Sequence, residues 1–274
     1  MRTTRVWCMD DKQFRLLLEY LGLSWPGYRN VRKAVKKHVC RHMQGLGCRN
    51  MREYLEQLQR SEEVRRQCEL MMAVPISRFF RDQKLWEVLK TQILPELFET
   101  YKDRIGMWSA GCACGEEVYS LKILWEHMSR SIINLPALDI TATDLNPFHL
   151  KRAKDALYPL SSLKEVPQNL RARCFQAEPG GKRFKVRPIL STGIIWMTHN
   201  FFSGPPGSGF HLILIRNNLL TYYQGDRITL VLDEIVKALS VGGYIVIGSR
   251  EKLPAQSSAL QPCPSLPYAF KKLA

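Results

Sequence analysis

The chain has few acidic residues, and their scarcity limits the kinds of partner it can have. It contains 25 Asp and Glu against 40 Lys and Arg, which gives a formal net charge of +15 and a pI near 9.6. An excess of positive charge on this scale predicts an anionic partner, which can be nucleic acid, an anionic membrane surface or an acidic protein. The charge alone does not choose among these three.

Long apolar runs and paired cysteines are also missing. No apolar run approaches the length of a membrane span, and residues 1–11 contain no apolar signal-peptide core. The eight cysteines form no CxxC pair, and Cys112 and Cys114 are too close together to be half of a zinc site. Their spacing does not resemble a disulfide framework. We therefore expect a cytoplasmic protein with reduced thiols, no metal site, and Cys112 and Cys114 as small packing residues.

The first 75 residues are predicted to form a helical subdomain. One helix stands out because Val31, Val35, Val39 and Met43 recur every fourth residue, which places them on one side. Further helices are expected over 14–21, 51–58 and 62–72. The helix over 28–43 carries six cations with no acid among them: Arg29, Arg32, Lys33, Lys36, Lys37 and Arg41.

Two interpretations of this basic helix remain open on sequence alone. It is either a docking surface for an acidic protein or a solvated helix face, which is the usual meaning of a charge run. His38 and His42, four residues apart on the same helix, could bind a metal ion, but a partly buried pair is favoured.

Residues 76–274 are predicted to form a second domain of the α/β class. A helix over 84–101 with a break near Pro95 precedes alternating strands and helices, which argue for a mostly parallel sheet covered on both faces. Residues 171–192 are predicted to be a small antiparallel β insertion with Gly180-Gly181 at its turn, and 251–267 a loop. The expected strands are 104–109, 138–143, 193–198, 211–215 and 243–248, and the expected helices 116–129, 147–156 and 225–239.

A glycine-containing turn between the first strand and the next helix is the most informative stretch. Gly111 and Gly115 allow a close backbone approach to a ligand, and the helix that follows offers unpaired N–H groups. Glu116 and Glu117 come directly after the second glycine and would repel a phosphate. The turn suits a ligand with hydroxyls or a positive charge, such as the ribose, amine or sulfonium of S-adenosylmethionine. Taken alone it is a weak signal, because a tight turn without any ligand has the same composition.

Polar residues after three later strands support a ligand site at the same sheet edge. Asp144 follows the second strand, where a Rossmann-like site holds ribose hydroxyls; the alternative is a helix N-cap. Asn200 and Phe201 suit an adenine ring, or else form a polar loop. Arg216-Asn217 follow a buried strand at the ligand-binding edge; the alternative for Arg216 is a structural salt bridge.

Taken together, these blocks resemble the CheR-type chemotaxis receptor methyltransferases. The resemblance spans nearly the whole chain and is carried by Phe79-Phe80-Arg81-Asp82, Gly115-Glu116-Glu117, Ala142-Thr143-Asp144, His199-Asn200 and Arg216-Asn217. Members of this family transfer a methyl group from S-adenosylmethionine to glutamates of chemoreceptors. The resemblance implies a Rossmann-like methyltransferase fold, S-adenosylmethionine as cofactor and S-adenosylhomocysteine as its product.

The resemblance also implies roles for individual residues. Arg81 and Tyr222 would orient the substrate carboxylate, and the basic helix would dock an acidic helical region of a chemoreceptor-like protein. The hairpin near 173–187 resembles the subdomain with which some members bind a receptor tail. The cofactor site would consist of Ser77, Arg81, Gly111, Glu117, Asp144, Asn200, Phe201, Arg216 and Asn217.

Two positions depart from the family pattern and leave alternatives open. Pro75 stands where the family has an asparagine, and Thr221 stands where it has a tyrosine, with Tyr222 one residue later. The alternatives are an S-adenosylmethionine-dependent enzyme acting on nucleic acid or a small acid, and a non-catalytic cofactor-binding signalling module. Nucleic acid is disfavoured because no basic groove with interleaved aromatic residues stands out. We expect a monomer without membrane insertion.

Overall fold

The computed structural model describes residues 9–75, 77–254 and 259–273. Residues 1–8, which include Cys8 and belong to the segment expected to contain no signal-peptide core, lie outside the described residues. Residues 255–258 of the expected loop also lie outside them. Two compact units are present: a helical unit, Met1–Val74 with Asn218–Ile228, and an α/β unit, Pro75–Asn217 with Thr229–Ala274. The boundary near residue 75 agrees with the expected division, but the 218–228 segment, expected in the second domain, folds with the helical unit.

Helices make up most of the helical unit and cover the sheet of the α/β unit. No helix among the described residues is both long and apolar enough to cross a membrane. A π-helical turn at Leu89–Ile93, just before Pro95, corresponds to the expected break. The helices are α1 (Asp11–Tyr20), α2 (Trp25–Tyr28), α3 (Arg32–Gly45), α4 (Met51–Arg60), α5 (Glu62–Met72), α6 (Gln83–Val88), α7 (Leu94–Thr100), α8 (Glu116–Met128), α9 (Pro147–Asp155), α10 (Gln168–Cys174), α11 (Leu219–Tyr222) and α12 (Arg227–Ala238).

The strands form two sheets. They are β1 (Arg104–Ala110), β2 (Ala137–Asp144), β3 (Leu157–Pro159), β4 (Phe175–Ala177), β5 (Arg183–Val186), β6 (Ile194–Thr198), β7 (Phe210–Ile215), β8 (Leu239–Ile247), β9 (Leu260–Cys263) and β10 (Leu266–Lys272). Seven lie in the order β6-β2-β1-β7-β8-β10-β9, and three in the order β3-β5-β4. Only β9 and β10 join the large sheet through antiparallel pairs.

The prediction of a Rossmann-like, mostly parallel sheet with a helical N-terminal part is confirmed. The expectation that 251–267 is a loop is wrong, because β9 and the start of β10 lie there and complete the sheet edge. The expected β insertion begins too late at residue 171, since its third strand, β3, comes before α10.

The register of the large sheet brings several loops to one edge. β1 pairs in parallel with β2, from Arg104 opposite Ala137 to Ala110 opposite Thr143, and β7 pairs in parallel with β1 on the other side. Because parallel strands end on the same side, the segments after β1, β2 and β7 emerge next to one another.

The connector Ser77–Asp82 is anchored to the α/β unit by Phe79. Its ring is fully buried and packs edge-to-face on Tyr158 and Phe175, with ring centroids 4.9 and 5.0 Å away. The backbone N–H of Phe79 donates to the carbonyl of Ser162 at 3.2 Å. Burial of this aromatic cluster fixes the connector relative to the sheet.

The 218–228 segment is tied into the helical unit by backbone and ring contacts. The N–H of Ser24 donates to the carbonyl of Tyr222 at 2.8 Å, and Leu23 forms a bridge with Tyr223. The Tyr222 ring lies 4.9 Å from that of Tyr28. A Cβ atom on Gly27 would lie 2.1 Å from the Thr221 carbonyl oxygen. This close approach explains a glycine directly after Pro26.

Candidate active site

The turn after β1 is held by the end of β2. The N–H groups of Gly111 and Cys112 both donate to the carbonyl of Thr143 at 2.8 Å, and the N–H of Ala113 donates to Oδ2 of Asp144 at 2.9 Å. Gly111 and Ala113 have φ angles of +75° and +48°. A left-handed alanine is costly, and such conformations cluster at ligand-binding loops.

Gly115 must be a glycine for reasons of both backbone and space. Its φ is +89°, and a Cβ atom there would lie 2.9 Å from Cβ of Ala153, 3.0 Å from the Trp196 ring and 3.1 Å from the Tyr158 hydroxyl. It precedes α8 as an N-cap without a side-chain hydrogen bond. The N-cap position therefore offers no side-chain cap to the first N–H groups of α8.

Both carboxylate oxygens of Asp144 have partners, one in the turn after β1 and the other at the start of α9. Besides the bond from Ala113, Oδ1 accepts from the N–H of Asn146 at 2.8 Å and lies 3.1 Å from Nδ1 of His149. The alternative that Asp144 is the N-cap of α9 is wrong, because the side chain of Asn146 caps that helix by accepting from the N–H of Phe148. Its role at the ribose stays a prediction.

Arg216, at the end of β7, joins two distant segments of the α/β unit. Its guanidinium donates to Oε2 of Glu117 at 2.8 Å and to Oδ2 of Asp82, while its side chain is only 3% exposed. Arg216 therefore does form the salt bridge that was the alternative interpretation of this residue. The bridge links the Phe-Phe-Arg-Asp connector to the first turn of α8.

Glu117 has partners on both carboxylate oxygens. Oε2 accepts from Arg216, and Oε1 accepts from the Ser109 hydroxyl at 2.9 Å. Charge-assisted hydrogen bonds of this kind fix a side chain more firmly than neutral ones. Glu117 is therefore positioned before any ligand arrives.

Glu116 is buried next to Glu117 but lacks such support. It is 5% exposed, and burial raises the pKa of its carboxyl although the Ser77 hydroxyl is hydrogen-bonded to it. Its Oε2 has no hydrogen-bond partner among the described residues. A buried acceptor without a donor is costly, and it fits a ligand that brings a hydroxyl or ammonium donor, as S-adenosylmethionine does.

The connector is fastened to α8 by Ser120. The Ser120 hydroxyl accepts from the N–H of Phe80 at 2.9 Å and donates to the carbonyl of Glu116 at 2.6 Å. Phe80 and Asp82 have φ angles of +52° and +63°. Left-handed backbone of this kind is strained, and burial of the connector stabilises it. In this conformation Asp82 contacts Arg216.

The segment after β7 is held by a carboxylate that the sequence did not reveal. Glu251 Oε2 accepts from the N–H groups of Asn217 and Gly248. Asn217 is left-handed, with φ +55°, and a Cβ atom on Gly248 would lie 2.9 Å from its Oδ1. These contacts fix the backbone of Asn217 at the end of β7.

The loop after β6 is more locally organised than expected. Oδ1 of Asn200 accepts from the N–H of Phe202 at 3.0 Å and caps the short 3₁₀ turn Phe201–Ser203. The N–H of His199 donates to the carbonyl of Asp144 at 3.0 Å. This ties the loop to the site, while pairing of Asn200 and Phe201 with adenine stays a prediction.

The two residues expected to orient the substrate belong to different units. Arg81 is partly buried in the connector, where its carbonyl accepts from the Trp86 indole N–H at 2.9 Å. Tyr222 belongs to the helical unit. Within the α/β unit the structure brings together Ser77, Gly111, Glu117, Asp144, Arg216 and Asn217 around the ends of β1, β2 and β7.

The basic helix is partly neutralised by an acid from α1. Arg32 and Lys36 both form ion pairs with Asp11, at 3.2 and 2.6 Å, and the hydrogen bond from Lys36 lowers the pKa of Asp11. The helix has no acid of its own, as expected, but the fold supplies one. Among the predicted docking residues, Lys33, Lys37 and Arg41 are exposed on α3. Arg29 is exposed too, but it follows α2 and precedes α3, so the expected helix over 28–43 begins only at Arg32.

The histidines and cysteines of the described residues lie in different surroundings. No group of three metal-ligating side chains is found there. His42 lies 2.8 Å from the Tyr54 hydroxyl and 3.2 Å from Oε1 of Gln67, whereas His38 is exposed, so the expected burial holds for His42 only. Cys112 and Cys114 are buried, and burial raises the pKa of the Cys114 thiol to about 11.

Four supporting residues were missed by sequence reasoning: Asp82, Ser109, His149 and Glu251. Asp82 was visible as the acid next to Arg81, but its partner Arg216 lies 134 residues further on. Ser109 and Glu117, eight residues apart, meet because the turn folds back. Only the tertiary structure supplies these pairs.

Comparison with known proteins places these residues in a family. Residues 76–268 match the model described as "CheR methyltransferase, SAM binding domain". A chemotaxis protein methyltransferase of Listeria innocua is 32% identical over 67% of this chain and 67% of its own length. Chemotaxis protein methyltransferase Cher2 of Pseudomonas putida is 28% identical over 96% of this chain and 98% of its own.

A solved structure of N-methyltransferase NodS from Bradyrhizobium japonicum is also similar. It has a TM-score of 0.38 and 16% identity, and the match covers 72% of this chain and 100% of that one.

Proposed function

Because the chain belongs to the CheR methyltransferase family and uses S-adenosylmethionine, we propose that it methylates glutamate carboxylates of a chemoreceptor-like protein, giving glutamate methyl esters. The observation that carries the proposal is the Arg216 bridge between Asp82 and Glu117. It joins the segment assigned to the substrate with the turn assigned to the cofactor.

The α/β unit offers donors and acceptors that suit each part of the cofactor. When bound, S-adenosylmethionine supplies a methyl group made electrophilic by its sulfonium. Glu117 and the unpartnered Oε2 of Glu116 suit its hydroxyl and ammonium donors. Asp144 lies where ribose hydroxyls bind in folds of this type. Arg216 and Asn217 line the same edge, with Ser77 hydrogen-bonded to Glu116.

The proposed chemistry needs alignment and no general base. A glutamate side chain has a pKa of about 4.3 and is already ionised at neutral pH. Its carboxylate oxygen forms a bond to the methyl carbon while the carbon–sulfur bond breaks, and the bonding pair stays on sulfur. The enzyme must therefore orient the carboxylate and exclude water. We assign the orienting roles to the Arg81 guanidinium and the Tyr222 hydroxyl.

Substrate docking is assigned to the exposed part of the basic helix. Rows of glutamates on a helical receptor region would be attracted to Lys33 and Lys37 by charge complementarity. Arg32 and Lys36 are occupied by Asp11 and contribute less. We further propose that the protein acts as a monomer in the cytoplasm.

The decisive experiment follows a labelled methyl group from S-adenosylmethionine into a soluble receptor cytoplasmic fragment. Label that is released as methanol by mild base supports the glutamate ester. Calorimetric titration with S-adenosylmethionine and S-adenosylhomocysteine runs in parallel. Cofactor binding without label transfer to any acidic protein would identify a non-catalytic module instead, and base-stable label or label on nucleic acid would identify another substrate.

An Arg81→Lys variant sharpens this test. The ammonium keeps the charge but cannot form a two-pronged contact with a carboxylate, so methyl transfer at saturating cofactor should fall by more than any loss of cofactor affinity explains. Arg78→Lys is the matched control, because Arg78 lies in the same connector but pairs with Glu165 at the surface.

A further inference from the structure

A second concentration of positive charge lies on the α/β unit. Residues 151–187 contain ten Lys and Arg but only three acidic residues. Nine of these ten cations are exposed. The proposed methyl transfer uses none of them, and they account for a large part of the excess charge of the chain.

Helix α9 and the small sheet form one continuous surface. The ammonium of Lys185 on β5 donates to the carbonyl of Asp155 at the end of α9, at 2.7 Å. On the same strand, Arg183 lies opposite Pro159 of β3. Lys151 lies one turn before Asp155 on α9 and forms an ion pair with its carboxylate at 3.7 Å, whereas Arg152 on the same helix is exposed.

Exposed apolar side chains lie among these cations. Phe148 on α9 is 71% exposed, and it shares a helix face with Lys151 and Arg152, three and four residues further on. Leu160, directly after β3, is 47% exposed. We call Phe148, Arg152, Leu160, Lys182, Arg183 and Lys185 the α9–β5 patch.

We propose that the α9–β5 patch docks the protein on an anionic lipid surface. Lysine and arginine side chains pair with acidic headgroups, while protruding aromatic and aliphatic side chains enter the boundary of the acyl chains. A lipid surface accepts an isolated protruding phenylalanine without a matching pocket, whereas a folded acidic protein must provide one. The binding is peripheral, consistent with the lack of any membrane-spanning helix among the described residues.

The test is sedimentation of the full-length chain with phosphatidylcholine vesicles, with and without phosphatidylglycerol. The wild-type chain should sediment only with the anionic vesicles, and less so as salt is raised. Each cation near such a surface contributes about fivefold in binding. The double variant Lys182→Glu with Arg183→Glu, at the start of β5, should therefore weaken binding by on the order of 25-fold or more. Circular dichroism checks that the variant keeps the fold.

Two further variants separate specific docking from general charge attraction. Lys33→Glu with Lys37→Glu on α3 makes the same change in net charge, and it should retain vesicle binding. Phe148→Ser should reduce binding most at high salt, where the apolar contribution dominates.

Equal loss in both charge-reversal variants would overturn the proposal, because it would show attraction by net charge alone. Unchanged vesicle binding by the Lys182/Arg183 variant would also overturn it. If that variant bound vesicles normally but failed to bind a soluble acidic receptor tail, the patch would be a protein-docking surface instead.

Discussion

Glu116 and Glu117 are adjacent in the chain but have opposite surroundings. Glu117 is held by Arg216 and Ser109, whereas one oxygen of Glu116 is buried without a partner among the described residues. The first arrangement stabilises a carboxylate and the second penalises it. We therefore expect different results from replacing the two residues: a change in cofactor affinity for Glu117 and a change in the pH dependence of stability for Glu116.

Replacement of Glu117 by glutamine should weaken cofactor binding. The variant keeps the shape but removes the charge that pairs with Arg216, so the dissociation constant for S-adenosylmethionine should rise by about tenfold or more. Calorimetry measures it. Glu126→Gln is the control, since it lies on the same helix in a surface pair with Arg130. Equal affinity for wild type and Glu117→Gln would contradict the assigned role.

Replacement of Glu116 by glutamine should change how stability depends on pH. Burial raises the folded-state pKa of Glu116 above its ordinary value of 4.5, so the folded protein holds this proton more tightly than the unfolded chain. The free energy of unfolding of the wild type is therefore penalised progressively as pH rises from about 4.5 through the raised pKa. The neutral amide of the Glu116→Gln variant carries no such penalty.

Urea denaturation at several pH values measures this effect. The advantage of Glu116→Gln over wild type should be absent well below pH 4.5, grow as pH rises through this window and then remain constant. An advantage independent of pH would show that the carboxyl does not titrate differently in the two states.

Individual residue roles could be predicted only where chain neighbours carried the signal. The Gly-Glu-Glu turn indicates a cofactor loop from its sequence alone, and Thr143 and Asp144 do hold that loop. Asp82 and Glu251 were missed, because their partners are distant in sequence and pairing of distant charges leaves no local pattern.

At the scale of elements, two glycines with similar positive φ angles differ in what surrounds them. Gly115 and Gly180 have φ angles of +89° and +86°, but a Cβ atom would meet three neighbours at Gly115 and nothing within 4 Å at Gly180. Gly180→Ala should cost about 1–2 kcal/mol of backbone strain alone. Gly115→Ala should cost more and also weaken S-adenosylmethionine binding, because the start of α8 must shift.

Thermal denaturation with and without cofactor compares the two glycine variants. A normal cofactor-induced rise in melting temperature is expected for Gly180→Ala and a reduced rise for Gly115→Ala. Equal rises would show that the turn does not shape the cofactor site.

The cations of the basic helix α3 fall into two sets: Lys33 and Lys37 are exposed, whereas Arg32 and Lys36 are paired with Asp11. Lys33→Glu with Lys37→Glu should slow methylation of an acidic protein substrate without changing cofactor affinity or melting temperature. Arg32→Glu with Lys36→Glu places new acids against Asp11, so it should lower the melting temperature of the helical unit. Equal methylation rates for the Lys33/Lys37 variant and wild type would show that this face is only solvated.

Helices and central strands were predictable because apolar periodicity reports burial along a single element. β9 and the start of β10 could not be predicted, because this stretch contains Pro262, Pro264 and Pro267, and prolines are typical of loops. The pairing of β10 with β8 is a tertiary event. The early strand β3, three residues long, is too short for any pattern.

At the scale of the whole molecule, the net charge of +15 should make substrate capture sensitive to salt. Electrostatic attraction speeds encounter with an acidic protein and is screened as ionic strength rises. The kcat/KM for a receptor fragment should fall steeply between low and physiological salt, mainly through KM. Cofactor affinity should change far less, because its site is partly buried. A kcat/KM independent of salt would contradict a charge-guided encounter.

The 218–228 segment makes the helical unit discontinuous in sequence, and this limits how the protein can vary by exchange of parts. In a recombinant that takes residues 1–74 from one relative and the remainder from another, the 218–228 segment that packs on Leu23, Gly27 and Tyr28 would come from a different protein. The helical unit can be inherited intact only together with the 218–228 segment, which follows Arg216-Asn217 in the chain. A change in residues 1–74 is thereby bound to a change in the segment that directly follows Arg216-Asn217 in the chain, so the two are expected to evolve as a pair.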